Sequence, residues 1–347
     1  MPELLSVGLI GCGWIAELAH LDALRRSGIA RLVVVAEPDA ARRATIQRRL
    51  PGVRLLEHGA ELLADPAVEA VLIAVPTAAA AEIARSAFAA GKHTYVEKPG
   101  ARSTTEWRAV VDTWSGSGTT GVIGYNFRHN PIALDAARRL RAGAIGRVIA
   151  VQARFLWAAD RIEGWRAAVG TGGGVLLDLA SHHVDLITHL LDDTVSGVRC
   201  TTRSRRVEED TADLCLELQG GATAQVLVSS AAGAHANRLT VVGSEGVLEI
   251  DLLDARPAPV QRRPGRLERV RRAGAALQAL HPARLLRPPG REPSFESALG
   301  EFLAGARHGV PVRPDPADAL RVLEVIDAAR VSARAAGSHV ALGVGAT

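Results

Sequence analysis

The stretch Ser6-Val-Gly-Leu-Ile-Gly11-Cys12-Gly13-Trp14-Ile15-Ala16 decides the fold. A short apolar run ends in Gly-x-Gly-x-x-Ala, and a helical pattern over 15–27 opens at once. Strand, glycine turn and helix in that order form a dinucleotide cradle. Gly11 permits the tight turn, Gly13 lets the backbone approach a pyrophosphate, and Ala16 lets helix and strand pack closely, with phosphates on the helix N-terminus. Trp14 and Ile15 complete the turn as cofactor contacts. Glu37 follows Ala16 by 21 residues, at the end of the second apolar run. A carboxylate there accepts bonds from free ribose hydroxyls and repels a ribose phosphate. NAD is therefore expected, with NADP as the alternative because Arg42 and Arg43 on the next helix could offset the repulsion.

Outward from this turn, apolar runs at 31–36, 53–55, 70–75, 93–96 and 121–124 alternate with helical stretches at 40–50, 60–63, 79–90 and 104–115. Strict alternation implies right-handed crossovers and a doubly wound parallel sheet. After Tyr125 the rhythm changes. A helix at 132–141, a strand at 147–156 and a long helix at 174–191 lead into strands at 198–204, 211–218, 223–231, 238–243 and 246–251. Short turns between consecutive strands indicate an antiparallel meander. Helices at 295–308 and 316–336 close the chain. The fold class is α/β: a Rossmann-type domain at 1–124 and an α+β domain at 125–347.

Two domains also suit 347 residues, because single cores stop growing at about 250–300. The longest apolar stretch, 70–81, is interrupted by Pro76, so no run of about 20 residues is available to span a bilayer. The N-terminus lacks a basic head and a cleavage site. Three cysteines, Cys12, Cys200 and Cys215, have no paired metal spacing and build neither a disulfide framework nor a zinc site. A reducing cytoplasm and no metal are expected. The formal charge of +4 hides an asymmetry: 256–291 holds ten Arg and one acid, Glu268, so the rest of the chain sums to 4 − 9 = −5. That segment lacks the interleaved aromatics of a stacking platform and reads as a solvated or subunit-contacting excursion, with a grip on an anionic ligand as the alternative; no nucleic-acid partner is expected.

Of 41 basic residues only two, Lys92 and Lys98, are lysine. Only an amine offers a compact point charge or loses its proton at accessible cost. Lys92, in the turn Ala90-Gly-Lys-His, reads as chance. Lys98 ends Tyr95-Val-Glu97-Lys98-Pro99, at the strand terminus where doubly wound sheets bind ligands. Pro76 and Thr77 after the fourth strand, and Glu97 beside Lys98, join the cofactor contacts. Further on, Thr171-Gly-Gly-Gly-Val-Leu-Leu-Asp178-Leu-Ala-Ser-His182-His183-Val-Asp185 places Asp178, His182 and Asp185 on one helix face, with His183 turned about 100° away. Two acids flanking an imidazole can orient it and tune its proton affinity. The plainer reading is a structural helix with a satisfied histidine. Arg154, Trp157, Arg161, Trp165 and Arg166 could line a pocket for a polar ring or serve as surface and core filler.

The glycine turn, the run Ala-Gly-Lys-His to Glu-Lys-Pro, Gly124-Tyr-Asn126-Phe-Arg128 and Gly-Gly-Gly-x-x-x-Asp-x-x-x-His-x-x-Asp together resemble the glucose-fructose oxidoreductase and inositol dehydrogenase (Gfo/Idh/MocA) family. The likeness extends to Glu209-Asp210-Thr211 and the last helix. It implies a large, mainly antiparallel open sheet in the second domain, often used for homodimers or homotetramers, and a cis Lys-Pro bond that aims Lys98 at nicotinamide and substrate. It further implies that Lys98 bonds the reacting hydroxyl, that Asp178 binds substrate and orients the histidine, and that His182 is the general base. Asn126 and Arg128 match a segment lining the domain junction and, with Trp157 and Trp165, are substrate candidates. Where many relatives carry a histidine after the fourth-strand proline, this chain has Ala80, which puts a peripheral contact in doubt. The expected activity is NAD-dependent oxidation of a secondary hydroxyl of a sugar, cyclitol or amino sugar, its rate rising with pH through an ionisation near the ordinary histidine value of about 6.5. A ketosugar reductase, a NAD-retaining glycosidase and a non-catalytic regulator stay open as alternatives.

Overall fold

Six short apolar strands pair in parallel in a computed structural model that describes residues 4–158, 162–253, 260–262 and 293–343. They are β1 (Leu5–Ile10), β2 (Ala30–Ala36), β3 (Arg54–Leu56), β4 (Ala70–Ile73), β5 (His93–Val96) and β6 (Gly121–Ile123), in the order β3-β2-β1-β4-β5-β6. The order reverses between β1 and β4, which opens a crevice at the carboxyl ends of the strands. Val7, Leu9, Val71, Leu72, Tyr95 and Val96 are buried because helices cover both faces, as parallel sheets require. Those helices are α1 (Leu21–Ser27), α2 (Ala40–Arg49), α3 (Gly59–Ala64), α4 (Thr77–Ala89) and α5 (Thr104–Ser115). Asp39 and Ser103 cap α2 and α5 by accepting from the backbone N–H of Arg42 and Glu106.

Beyond β6, α6 (Pro131–Arg141), β7 (Val148–Ala158) and α7 (Ser181–Leu191) precede β8 (Val195–Arg203), β9 (Thr211–Leu218), β10 (Thr223–Ser229), β11 (Ala231–Gly243) and β12 (Gly246–Asp251). With β13 (Val260–Arg262) and β14 (Val340–Ala341) they form an eight-stranded sheet, antiparallel except for the β7/β10 pair. Val151, Ala153, Phe155, Leu214, Leu216, Val226, Leu239 and Val241 point to the helix-covered face and are buried. On the other face Gln152, Arg154, Gln225 and Leu227 are exposed. The basic excursion lies outside the described residues except for β13.

The two closing helices show how the halves are joined. Helix α8 (Ser294–His308) returns to the first sheet, where Ala298, Leu299, Phe302 and Leu303 share a core with Leu5, Val7, Tyr95 and Val122. Helix α9 (Pro316–Arg334) packs against α5, α7 and β8, bridging both sheets. Sequence periodicity gives each helix an apolar face but no address for it.

Candidate functional site

Gly11 adopts φ +81°, and a β-carbon there would lie 2.5 Å from the Ala74 carbonyl oxygen, so β4 itself demands glycine. Beyond its own chain neighbours, no atom among the described residues lies within 4 Å of where a Gly13 β-carbon would stand. The fold does not need glycine at 13, whereas a diphosphate approaching the backbone does. The helix after the turn begins with one wide π turn, Ala16–His20, closed by the Leu21 N–H donating to the Ala16 carbonyl. Glu37, only 3% exposed, accepts from the Cys12 N–H (2.8 Å) and the Asp39 N–H (3.0 Å), which fixes its carboxylate beside the turn. Arg43 donates to the carbonyls of Glu37 (2.7 Å) and Pro38 (2.8 Å). It is thereby directed onto backbone, not toward a ribose phosphate. Trp14 is 61% exposed at the rim. Pro76 immediately precedes α4, and Thr77 is buried against the Gly172 backbone, whose added β-carbon would sit 2.6 Å from Thr77 Cβ. These residues fit a dinucleotide.

At the end of β5, the Lys98–Pro99 bond is cis. The Lys98 Nζ donates to Asp178 Oδ1 (2.7 Å) and to the Asp178 carbonyl (2.8 Å). Arg166 Nε lies 3.6 Å from the other carboxylate oxygen, Oδ2. Burial would raise the Asp178 pKa, but the charges of Lys98 and Arg166 hold it below the ordinary carboxylate value. His182 is 7% exposed and stacks on Phe127 at 4.4 Å with 26° between planes, while Tyr125 and Phe155 meet it edge-on. Its Nδ1 is buried with no hydrogen-bond partner among the described residues, which leaves Nε2 for proton exchange. Burial, then the Lys98 charge, then His183 depress its pKa well below 6.5.

The structure redraws the expected Asp-His-Asp face. A second π turn, Leu176–Ala180, with the Ser181 N–H reaching back five residues to Leu176, inserts extra arc between Asp178 and His182. Asp178 turns to Lys98, and Asp185 turns to Arg128 (Nη2–Oδ1 2.6 Å, Nε–Oδ2 2.9 Å). No hydrogen bond joins either acid to the imidazole among the described residues. Aromatic rings orient His182 in place of the carboxylates. Arg128, expected at the substrate, is 8% exposed and binds both Asp185 and Asp318 (3.4 Å). Asn126, 1% exposed, donates to Ser294 Oγ at 2.7 Å and ties α8 to the junction. Both are held inside by partners that need them. Trp157, 43% exposed, shares a strand face with Phe155 and meets His235 edge-on at 5.2 Å. The Trp165 ring lies 4.5 Å below the Arg166 guanidinium carbon. Arg161 lies outside the described residues, and Arg154 sits on the opposite sheet face. Lys92 donates to the carbonyls of Asp65 and Val68, a structural role.

Two positions were given no role by sequence reasoning. His20 Nε2 pairs with Glu97 Oε1 at 2.7 Å, fixing the side chain next to Lys98. Glu209 accepts from the Val175 N–H through its carbonyl (2.8 Å) and from the Leu176 N–H through Oε1 (3.3 Å), anchoring the turn that carries Asp178. The Glu-Asp-Thr motif marks the second; a histidine one turn beyond Ala16 carries no comparable signal.

His183 is fully buried, with both ring nitrogens unpartnered among the described residues and its pKa lowered by burial to about 4. Replacing it with leucine is expected to stabilise the fold at pH 7 by about 1–3 kcal/mol, because an unsatisfied polar group leaves the core. The gain should grow by up to about 1.4 kcal/mol per pH unit below 6.5, since the unfolded imidazole takes up a proton there and the folded one does not. Urea unfolding at pH 7 and 5 checks both; an equal slope in wild type and variant refutes it.

Fold and site together define a dinucleotide-binding α/β protein with a lysine, a carboxylate and a neutral imidazole at the crevice. Residues 5–125 match the model of the oxidoreductase family with an NAD-binding Rossmann fold, and residues 133–249 match the Gfo/Idh/MocA C-terminal domain. The chain belongs to the Gfo/Idh/MocA family. Levoglucosan dehydrogenase of Pseudarthrobacter phenanthrenivorans is 30% identical over 62% of this chain and 60% of its own length. The scyllo-inositol 2-dehydrogenase (NAD+) of Bacillus subtilis is 29% identical over 65% of this chain and 67% of its own length. The chain thus spans about three fifths to two thirds of these curated relatives. Among solved structures, a protein of gentamicin A biosynthesis in complex with NAD is 25% identical with a TM-score of 0.83, covering 99% of this chain and 98% of that one. A levoglucosan dehydrogenase complex with NADH, at 24% identity and TM-score 0.84 over 98% of this chain and 100% of that one, shares the fold. No helix among the described residues is long and apolar enough to cross a membrane.

Proposed function

We propose that this chain is a NAD-dependent dehydrogenase oxidising a secondary hydroxyl of a sugar, cyclitol or amino sugar. One observation carries the reading: Lys98, at the carboxyl edge of the parallel sheet, is tied at 2.7 Å to Asp178, on the π turn that leads into the buried His182. Lys98 and Asp178 fix the carbinol, and His182 Nε2 takes the hydroxyl proton. Gly11, Gly13, Ile15 and Ala16 hold the diphosphate, Glu37 the adenosine ribose, and Trp14, Pro76, Thr77 and Glu97 the rest of the cofactor. When bound, NAD accepts the hydrogen and electron pair leaving the carbinol carbon as hydride, giving ketone and NADH.

The relatives' activities on levoglucosan and scyllo-inositol support the substrate class. The family matches support a division of labour in which residues 1–124 hold the cofactor and 125–347 the substrate. The sheet face that carries Gln152, Arg154, Gln225 and Leu227, exposed among the described residues, supports a homodimer or homotetramer, and the free cysteines suit a cytoplasmic setting.

NADH formation across a panel of sugars and cyclitols tests the reading. A protein that binds NAD but reduces it with no member overturns it. On the same assay, Glu37→Ser is expected to lower the preference for NAD over NADP by about tenfold or more, since it removes a fixed carboxylate worth one or two charge-assisted bonds to ribose. An unchanged preference moves cofactor choice elsewhere.

A further inference from the structure

We propose that Arg166 selects the substrate, and that this substrate is a sugar or cyclitol carrying an anionic substituent, a carboxylate or a phosphate. The proposal rests on the dehydrogenase reading for its reacting centre but not for its binding test. One carboxylate, Asp178, lies between two cations, with Lys98 on Oδ1 and Arg166 near Oδ2. The neighbouring acids are engaged elsewhere: Glu97 by His20, Asp185 and Asp318 by Arg128, and Glu209 by the Leu176 N–H. At Asp178 itself, two cations meet a single carboxylate.

Arg166 is built to present that charge. At 3.6 Å its approach to Asp178 is longer than a hydrogen bond, and its guanidinium makes no hydrogen bond among the described residues. Stacking on Trp165 holds the plane and leaves the N–H edge for a ligand, a geometry that suits the two oxygens of a carboxylate or phosphate. The side chain is 45% exposed, so it is reachable from solvent. Its backbone is held against the glycine run: the Gly174 N–H donates to the Arg166 carbonyl at 3.4 Å, and a β-carbon at Gly173 would fall 2.4 Å from that same oxygen. A substrate amine would meet Lys98 and Arg166 together and be repelled, which narrows the wider class above.

The test is calorimetric titration of the NADH-loaded enzyme with glucuronate, glucose 6-phosphate, glucose and glucosamine. At least one anion is expected to bind about tenfold or more tightly than glucose, with glucosamine weakest. Arg166→Gln should cut the ratio of anion to glucose affinity by about tenfold to a hundredfold, Arg166→Lys should restore part of it, and Arg166→Glu should move the preference toward glucosamine. A response to glucuronate alone assigns the carboxylate, and to glucose 6-phosphate alone the phosphate. Neither anion binding better than glucose, or Arg166→Gln weakening all four alike, overturns the proposal. Failure to reduce NAD with any sugar would instead overturn the dehydrogenase reading, while the affinity ratios still decide the role of Arg166.

Discussion

Lys98→Met is expected to lower the rate of NADH formation by about a thousandfold at saturating substrate, with the fold intact. An ammonium has three donors. Two are committed, one to the Asp178 carbonyl and one to its carboxylate, which leaves a single N–H for an oxygen on the substrate. That N–H gains most when negative charge develops on the carbinol oxygen, so its loss falls on the chemical step more than on binding. Methionine keeps the length and apolar stem and removes all three donors. Asp178 would then face only Arg166 at 3.6 Å, and burial would push its pKa up. Lys98→Arg should not restore the rate, because a planar fork cannot place one compact charge among three acceptors. Circular dichroism and thermal unfolding establish that the variants fold; a folded Lys98→Met enzyme within tenfold of wild type refutes the assignment.

Sequence made the cofactor half legible because its demands are local. Gly11 is fixed by a left-handed backbone and Glu37 by the end of a strand, so order and spacing suffice. The second half depends on contacts across long separations. Arg128 binds acids 57 and 190 residues away, and no spacing rule distinguishes such a buried ion cluster from a ligand contact. The helix carrying Asp178 and His182 illustrates a different limit. Its i, i+4 pattern predicts a shared face, but a single π turn changes which neighbour each side chain meets. Nothing in Leu-Leu-Asp-Leu-Ala announces that turn. Arg166 was legible only as one of several arginines, and its nearness to Asp178 comes from the packing of its loop on the glycine run.

His182→Gln should cost about a hundredfold to ten-thousandfold in the oxidative rate and abolish the acid limb of the pH profile. Glutamine keeps polarity and much of the volume but cannot take a proton, so a loss of rate cannot be assigned to a cavity alone. The profile locates the base. A proton acceptor works only when unprotonated, and in the folded protein His182 gains its proton well below 6.5. The oxidative rate should therefore be flat through neutral pH and fall only on the acid side of 6.5, not near it as an unperturbed imidazole would give. Ketone reduction needs the protonated form and should rise as pH falls through the same ionisation. Part of the depression comes from the Lys98 charge, so the residual activity of Lys98→Met should show its limb displaced toward higher pH. Burial, the larger cause, is supplied by Phe127, Tyr125 and Phe155 and stays in place, which keeps the limb below 6.5 even in that variant. Wild-type and Lys98→Met limbs at the same pH would mean that the titrating group is not adjacent to Lys98, and the proton acceptor would have to be sought elsewhere in the cleft.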